Sequence, residues 1–121
     1  MTKAEINLIN SKDVKVEELT PAMGEYLKIK HENPDKILLY RMGDFYETFF
    51  EDAVTMSKEL ELTLTGREQG NFGRIPLAGI PAKAVNNYIE LVFVFQVSIA
   101  NVIAILSELF VNLIYFFQIG K

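Results

Sequence analysis

Ile37-Leu38-Leu39-Tyr40-Arg41-Met42-Gly43-Asp44-Phe45-Tyr46-Glu47-Thr48-Phe49-Phe50 is the stretch on which the fold of this chain turns. Ile37 to Tyr40 is a short apolar run with the character of a buried strand. Gly43-Asp44 supplies the turn chemistry of a tight hairpin, and Phe45 to Phe50 continues as a second extended segment. Successive side chains on a strand point to opposite faces, so residues two apart share one. Phe45 and Glu47 therefore emerge together just after the turn, a flat apolar ring beside a hydrogen-bond acceptor. Such a pair is suited to probing a base in DNA. Tyr46, Phe49 and Phe50 read as core aromatics of the hairpin, while Met42 and Asp44 flank the pair as candidate supporting contacts.

Upstream, Thr20-Pro21 opens a helix, with Thr at the N-cap and Pro at the first helical position. Met23, Tyr26 and Leu27 keep helical spacing until Asn33-Pro34-Asp35 stops the run. His31 sits near the end of that helix. It is the only histidine in a chain without cysteine, so it reads as a solvated residue rather than a metal or nucleophile site. Residues 1–18 are polar with scattered Ile and Val, and read as a loosely held arm.

Downstream, Glu51-Asp52 places negative charge at the start of a short helix carrying Ala53, Met56 and Leu60. Leu62 and Leu64 alternate with Glu61, Thr63 and Thr65, which predicts a third strand buried on one side. Residues 66–73 read as a polar loop, without the Gly-Lys-Ser/Thr ending of a phosphate-binding loop. Residues 75–81, with Pro76 and Pro81, suit an edge strand better than a central one. A helix is expected from about Pro81, with Val85, Tyr88, Ile89 and Val92 on one face. Strands and helices interleave without a strict repeat, so the fold class is α/β: a small mixed sheet flanked by helices.

A chain of 121 residues, half of them hydrophobic, makes one domain with a real core. The residues Met1 to Glu5 show no basic stretch followed by an apolar one, so a secretory signal is not expected, and the absence of cysteine agrees with a reducing, cytoplasmic setting. The net charge of −4 is the wrong sign for a free-standing DNA binder, because phosphate contacts supply most nonspecific affinity. It is unevenly spread. Residues 44–61 carry six acids against Lys58, whereas residues 65–87 carry Arg67, Arg74 and Lys83 against Glu68 alone. Those three cations are the candidate phosphate contacts, although isolated surface cations are usually just solvated.

Leu19-Thr20-Pro21, the stretch from Leu39 to Glu47, Pro76-Leu77-Ala78-Gly79-Ile80-Pro81 and Ala84-Val85-Asn87-Tyr88 together resemble, in order and spacing, domain I of the MutS family of DNA mismatch-repair proteins. The resemblance spans about 19–90. It implies that Phe45 is the intercalating phenylalanine and that Glu47 hydrogen-bonds the mispaired base. The implied partner is double-stranded DNA with mismatched or unpaired bases, bound without cofactor, metal or catalysis. The physics fits: a mispaired step is already poorly stacked, so kinking it around an inserted ring costs less than kinking a paired one. An anion among phosphates is penalised unless it accepts a real hydrogen bond from a base or is itself protonated. That penalty disfavours paired DNA. Two departures stand out. The clamp, lever and ATPase domains of the family have no room here, so ATP hydrolysis is not expected, and Ala82-Lys83 replaces an aromatic and a histidine found in many bacterial members.

Residues 91–121 form an apolar tail in which Glu108 is the only formal charge before the terminal Lys121. Three readings stay open: a membrane segment, residues 91–107 being nearly long enough to cross a bilayer; a buried strand and helix closing the domain; or the ending of a truncated or altered copy not selected to fold. The competing function is accordingly a small membrane-associated protein, attached through 91–119, whose head keeps the fold without a role in repair. A nuclease using Asp44 and Glu47 would require magnesium, and is the weakest reading.

Overall fold

The computed structural model describes residues 5–85, 87–88, 99–105 and 114–119. Its elements run α1 (Pro21–Glu32), β1 (Lys36–Met42), β2 (Phe45–Phe49), α2 (Phe50–Leu60), β3 (Thr65–Glu68), β4 (Arg74–Pro81), β5 (Ile99–Ile105) and β6 (Ile114–Ile119). The strands form one sheet in the order β3-β4-β2-β1-β6-β5, with every ladder antiparallel. The α/β architecture is that expected from the sequence.

The β1–β2 hairpin is closed by Gly43-Asp44, with Met42 paired to Phe45. Gly43 has φ +60, the first-position sign of a II′ turn, which suits the twist of the flanking strands and is easy only for glycine. Pairing in register fixes which residues share a face. Leu38, Tyr40 and Met42 of β1 lie with Phe45, Glu47 and Phe49 of β2, and with Leu77, Gly79 and Pro81 of β4. On the inner part of this face α1 buries Met23, Tyr26 and Leu27 against Leu38, Tyr40 and Phe49. The opposite face packs Ile37, Leu39, Tyr46 and Ile80 against Met56 of α2 and Val85. Both sides of β1 are thus covered, which explains its unbroken apolar run.

Tyr26 joins α1 to the sheet. Its ring meets those of Tyr40 and Phe49 edge to face, at centroid distances of 6.1 and 4.9 Å. Its hydroxyl donates to the Leu38 carbonyl at 3.3 Å, lies 3.3 Å from Thr48 Oγ1, and accepts from the Phe49 N–H at 3.1 Å. Burial, helped by the Asp52 charge, pushes this phenol well above its usual range. A second tie is ionic: Lys30 Nζ reaches Asp52 Oδ1 and Oδ2 at 3.0 Å and also donates to the Lys36 carbonyl, while the Leu38 N–H donates to Asp52 Oδ2 at 3.0 Å. Both charged side chains are buried. Buried charges survive only when paired and hydrogen-bonded in this way.

Several expectations are corrected. Residues 61–64 form no strand: Glu61 ends α2 with φ +55, and pairing starts only at Thr65, the last residue of the expected strand, and runs on through Glu68 into the stretch expected as a loop. β4 is not an edge strand, since β3 flanks it on one side and β2 on the other. Its prolines are tolerated because the two neighbours are staggered. β3 pairs with residues 74–77 and β2 with residues 77–81, so Pro76 and Pro81 each face only one partner strand. Phe50 is not extended but starts α2, at φ +59 and fully buried. Thr20 takes the N-cap position without a side-chain cap bond.

The amino-terminal segment is tied down rather than loosely held. The Ser11 N–H and hydroxyl both donate to the Glu51 carboxylate, at 2.8 and 2.6 Å, Val14 is buried in the core, and Ile6 bridges to Arg74. His31 is exposed, as read, with Nε2 at 2.9 Å from the Ser11 carbonyl oxygen. In the apolar tail, β6 pairs with β1 and β5 pairs with β6. Among the described residues no helix is long and apolar enough to cross a membrane. Ile89, Val92 and the stretches 91–98 and 106–113 lie outside the described residues.

Candidate functional site

Phe45, Glu47 and Phe49 stand in a row on one face of β2, and their exposure falls steeply along it. Phe49 is 1% exposed beneath α1, while Phe45 at the hairpin tip is 47% exposed. Such a ring, half in water beside a fully formed core, forgoes about half of the 1.5–3 kcal/mol that complete burial of a phenylalanine supplies. Gly79, opposite Glu47 on β4, keeps the floor of the row clear: a Cβ there would stand 3.4 Å from Phe45 Cδ2 and 3.9 Å from Glu47 Cγ. The Asp44 carbonyl accepts from the Ala82 N–H at 2.7 Å, locking the turn to the end of β4.

Glu47 is not a free carboxylate. Arg67 Nη2 lies 3.1 Å from Oε1 and 3.3 Å from Oε2, and Arg67 Nη1 lies 3.8 Å from Met42 Sδ. The Arg67 guanidinium also stands 5.2 Å from the centroid of the Phe49 ring. Arg67 is paired with Ile75 in the β3–β4 ladder, which puts it on the same face as Glu47. Met42, read as a flanking contact, is half-buried and backs this cluster.

A groove beside Phe45 is lined by Arg41, Asp44, Pro81, Ala82 and Lys83. Asp44 and Lys83 are exposed there. Arg41, not singled out in the sequence, holds its guanidinium 5.4 Å from the Tyr46 ring centroid and donates through Nε to the Gly43 carbonyl at 2.6 Å. With Glu47 already matched by Arg67, the tip presents Arg41 and Lys83 against Asp44, a local balance opposite in sign to the chain as a whole. The structure therefore gathers Phe45, Glu47, Met42, Asp44, Arg67 and Lys83 at one end. It does not bring Arg74 there. Arg74 begins β4, about 23 Å along the strand from Pro81, and lies within 3.4 Å of Thr65 Oγ1. Gly79 and Arg41 were missed because a glycine's emptiness and an arginine's anchoring depend on neighbours distant in sequence.

Residues 20–107 match the family described as MutS domain I, a span that extends beyond Glu90, where the resemblance expected from the motifs ends. The DNA mismatch repair protein MutS of Prochlorococcus marinus (strain NATL2A) is 57% identical over 75 residues, covering 61% of this chain and 8% of that protein. Those of Synechococcus sp. (strain JA-2-3B'a(2-13)) and Synechococcus sp. (strain CC9902) are 57% and 53% identical over 70 and 76 residues, 58% and 62% of this chain. The chain belongs to the MutS domain I family. It matches only 8% of the length of these curated relatives.

Proposed function

We propose that this chain is a noncatalytic DNA-binding module that recognises mismatched or unpaired base steps. Phe45 enters the step from the minor groove and stacks on a base, and Glu47 accepts a hydrogen bond from that base. The observation that carries this reading is the ring of Phe45, half exposed at the tip of a rigid hairpin with Glu47 on the same face. A wedge must be apolar, outward and firmly based. Phe45 meets all three conditions, since Tyr46 beside it and Phe49 behind it are sealed in the core. Stacking contributes roughly 1–3 kcal/mol per base, and unstacking is cheapest where pairing is already faulty. In this reading Arg41 and Lys83, which line the groove beside Phe45, meet phosphates flanking the wedge, with Asp44 at the turn. Such contacts set register and carry no sequence information. A cytoplasmic location belongs to the same reading.

The test compares binding to a mismatched and a matched duplex at low salt, for the unaltered chain and Phe45→Ala. The expected result is a modest mismatch preference that the substitution removes, with total affinity near nonspecific binding, about 10⁻⁴ to 10⁻⁶ M. Equal binding of both duplexes by the unaltered chain rejects the reading.

A further inference from the structure

We infer that Arg67 is the positioning residue of Glu47, acting on DNA through that carboxylate rather than as a phosphate contact. The inference rests on the reading of Glu47 as the base acceptor and adds what makes an anion workable there. Three partners fix the guanidinium: the Glu47 carboxylate, bridged by Nη2 at 3.1 and 3.3 Å; Met42 Sδ at 3.8 Å from Nη1; and the Phe49 ring at 5.2 Å. Phe49 is buried, so the cation is anchored against the core. Arg67 is only 34% exposed and Glu47 14%, so neither side chain swings freely in solvent.

This arrangement has two consequences for the carboxylate. A carboxylate carries about four acceptor sites on its two oxygens. One nitrogen bridging both leaves the remaining sites for a donor from a base. The Arg67 charge also matches that of Glu47 before a duplex arrives, so the site does not add a bare anion to a field of phosphates. An arginine held in this way, with Nη2 on Glu47, Nη1 beside Met42 and the guanidinium over Phe49, is already engaged within the protein rather than extended toward a phosphate. A planar, always-charged fork suits the task better than the point charge of lysine.

A double-mutant cycle on the 121-residue chain decides the matter, with Arg67→Gln and Glu47→Gln alone and together, each bound to mismatched and matched duplexes. The expected result is that Arg67→Gln weakens mismatch binding about tenfold when Glu47 is present, and less than about twofold in the Glu47→Gln background. Equal losses in both backgrounds overturn the inference, because a direct phosphate contact does not depend on residue 47. Should the Arg67→Gln chain not melt cooperatively, Arg67→Lys takes its place in the cycle and is read the same way. Failure of the underlying reading looks different: the unaltered chain then shows no mismatch preference at all, and the inference falls with it.

Discussion

Phe45 and Phe49 are the same residue type, on the same strand and the same face, yet one is half exposed and the other sealed. The strand cannot account for this. The difference lies in what covers it: Tyr26 of α1 sits against Phe49, and α1 leaves the tip of the hairpin uncovered. The inner end of β2 is thus built for stability and the outer end for contact. Firmness at one end is what lets the other hold an apolar ring in water.

The sharpest break of this comparison is a pair of alanine substitutions. Phe49→Ala should cost about 3–5 kcal/mol in urea unfolding, the range for an emptied aromatic site in a core. Phe45→Ala should change stability by less than about 0.5 kcal/mol while abolishing mismatch preference. Similar destabilisation from the two would mean the ends are not distinct.

A second test loads the inner end through pH. Burial pushes the Asp52 carboxyl from 3.8 up to about 6, against the pull of Lys30 and the Leu38 N–H. Between those values the folded chain holds more protons than the unfolded one, so this group's contribution to stability falls as pH rises. Unfolding at pH 4 and pH 7 should show a loss of up to about 3 kcal/mol from this source, absent in Asp52→Asn. A stability that rises over the window by more in the parent than in Asp52→Asn contradicts it. Tyr26→Phe is the next step down. It leaves the buried Phe49 N–H without its acceptor, and thermal unfolding should register about 1–3 kcal/mol.

The smallest expected effect lies at the floor of the outer end. Gly79→Ala places a methyl 3.4 Å from the Phe45 ring, an ordinary contact, and should leave both stability and binding nearly unchanged. Gly79→Val adds branches on the same side and should tilt the ring, lowering mismatch preference with little change in melting. A full loss of preference in Gly79→Ala would show the wedge to be far more tightly constrained than its exposure suggests.

Much of the hairpin was legible because its signals are local. Gly43-Asp44 permits a two-residue turn, the alternation after it assigns faces, and the apolar run from Ile37 marks a strand covered on both sides. β3 was misread because Leu62 and Leu64 mimic strand alternation, while Thr65-Gly66-Arg67-Glu68 shows little strand character until β4 lies beside it. β4 was placed at an edge because proline lacks an N–H. A sequence does not reveal that neighbouring strands will be staggered so that each proline needs only one partner.

The order of residues by itself determined the turn, the shared face of Phe45 and Glu47, and membership of the MutS domain I family, since each depends on spacing within a few residues or on motifs kept in order. Tertiary structure alone decided which aromatic on that face stays in water, and that Glu47 is held by an arginine twenty positions away. Burial and ion pairing arise where distant segments meet, and no local pattern encodes where the cover of a helix ends.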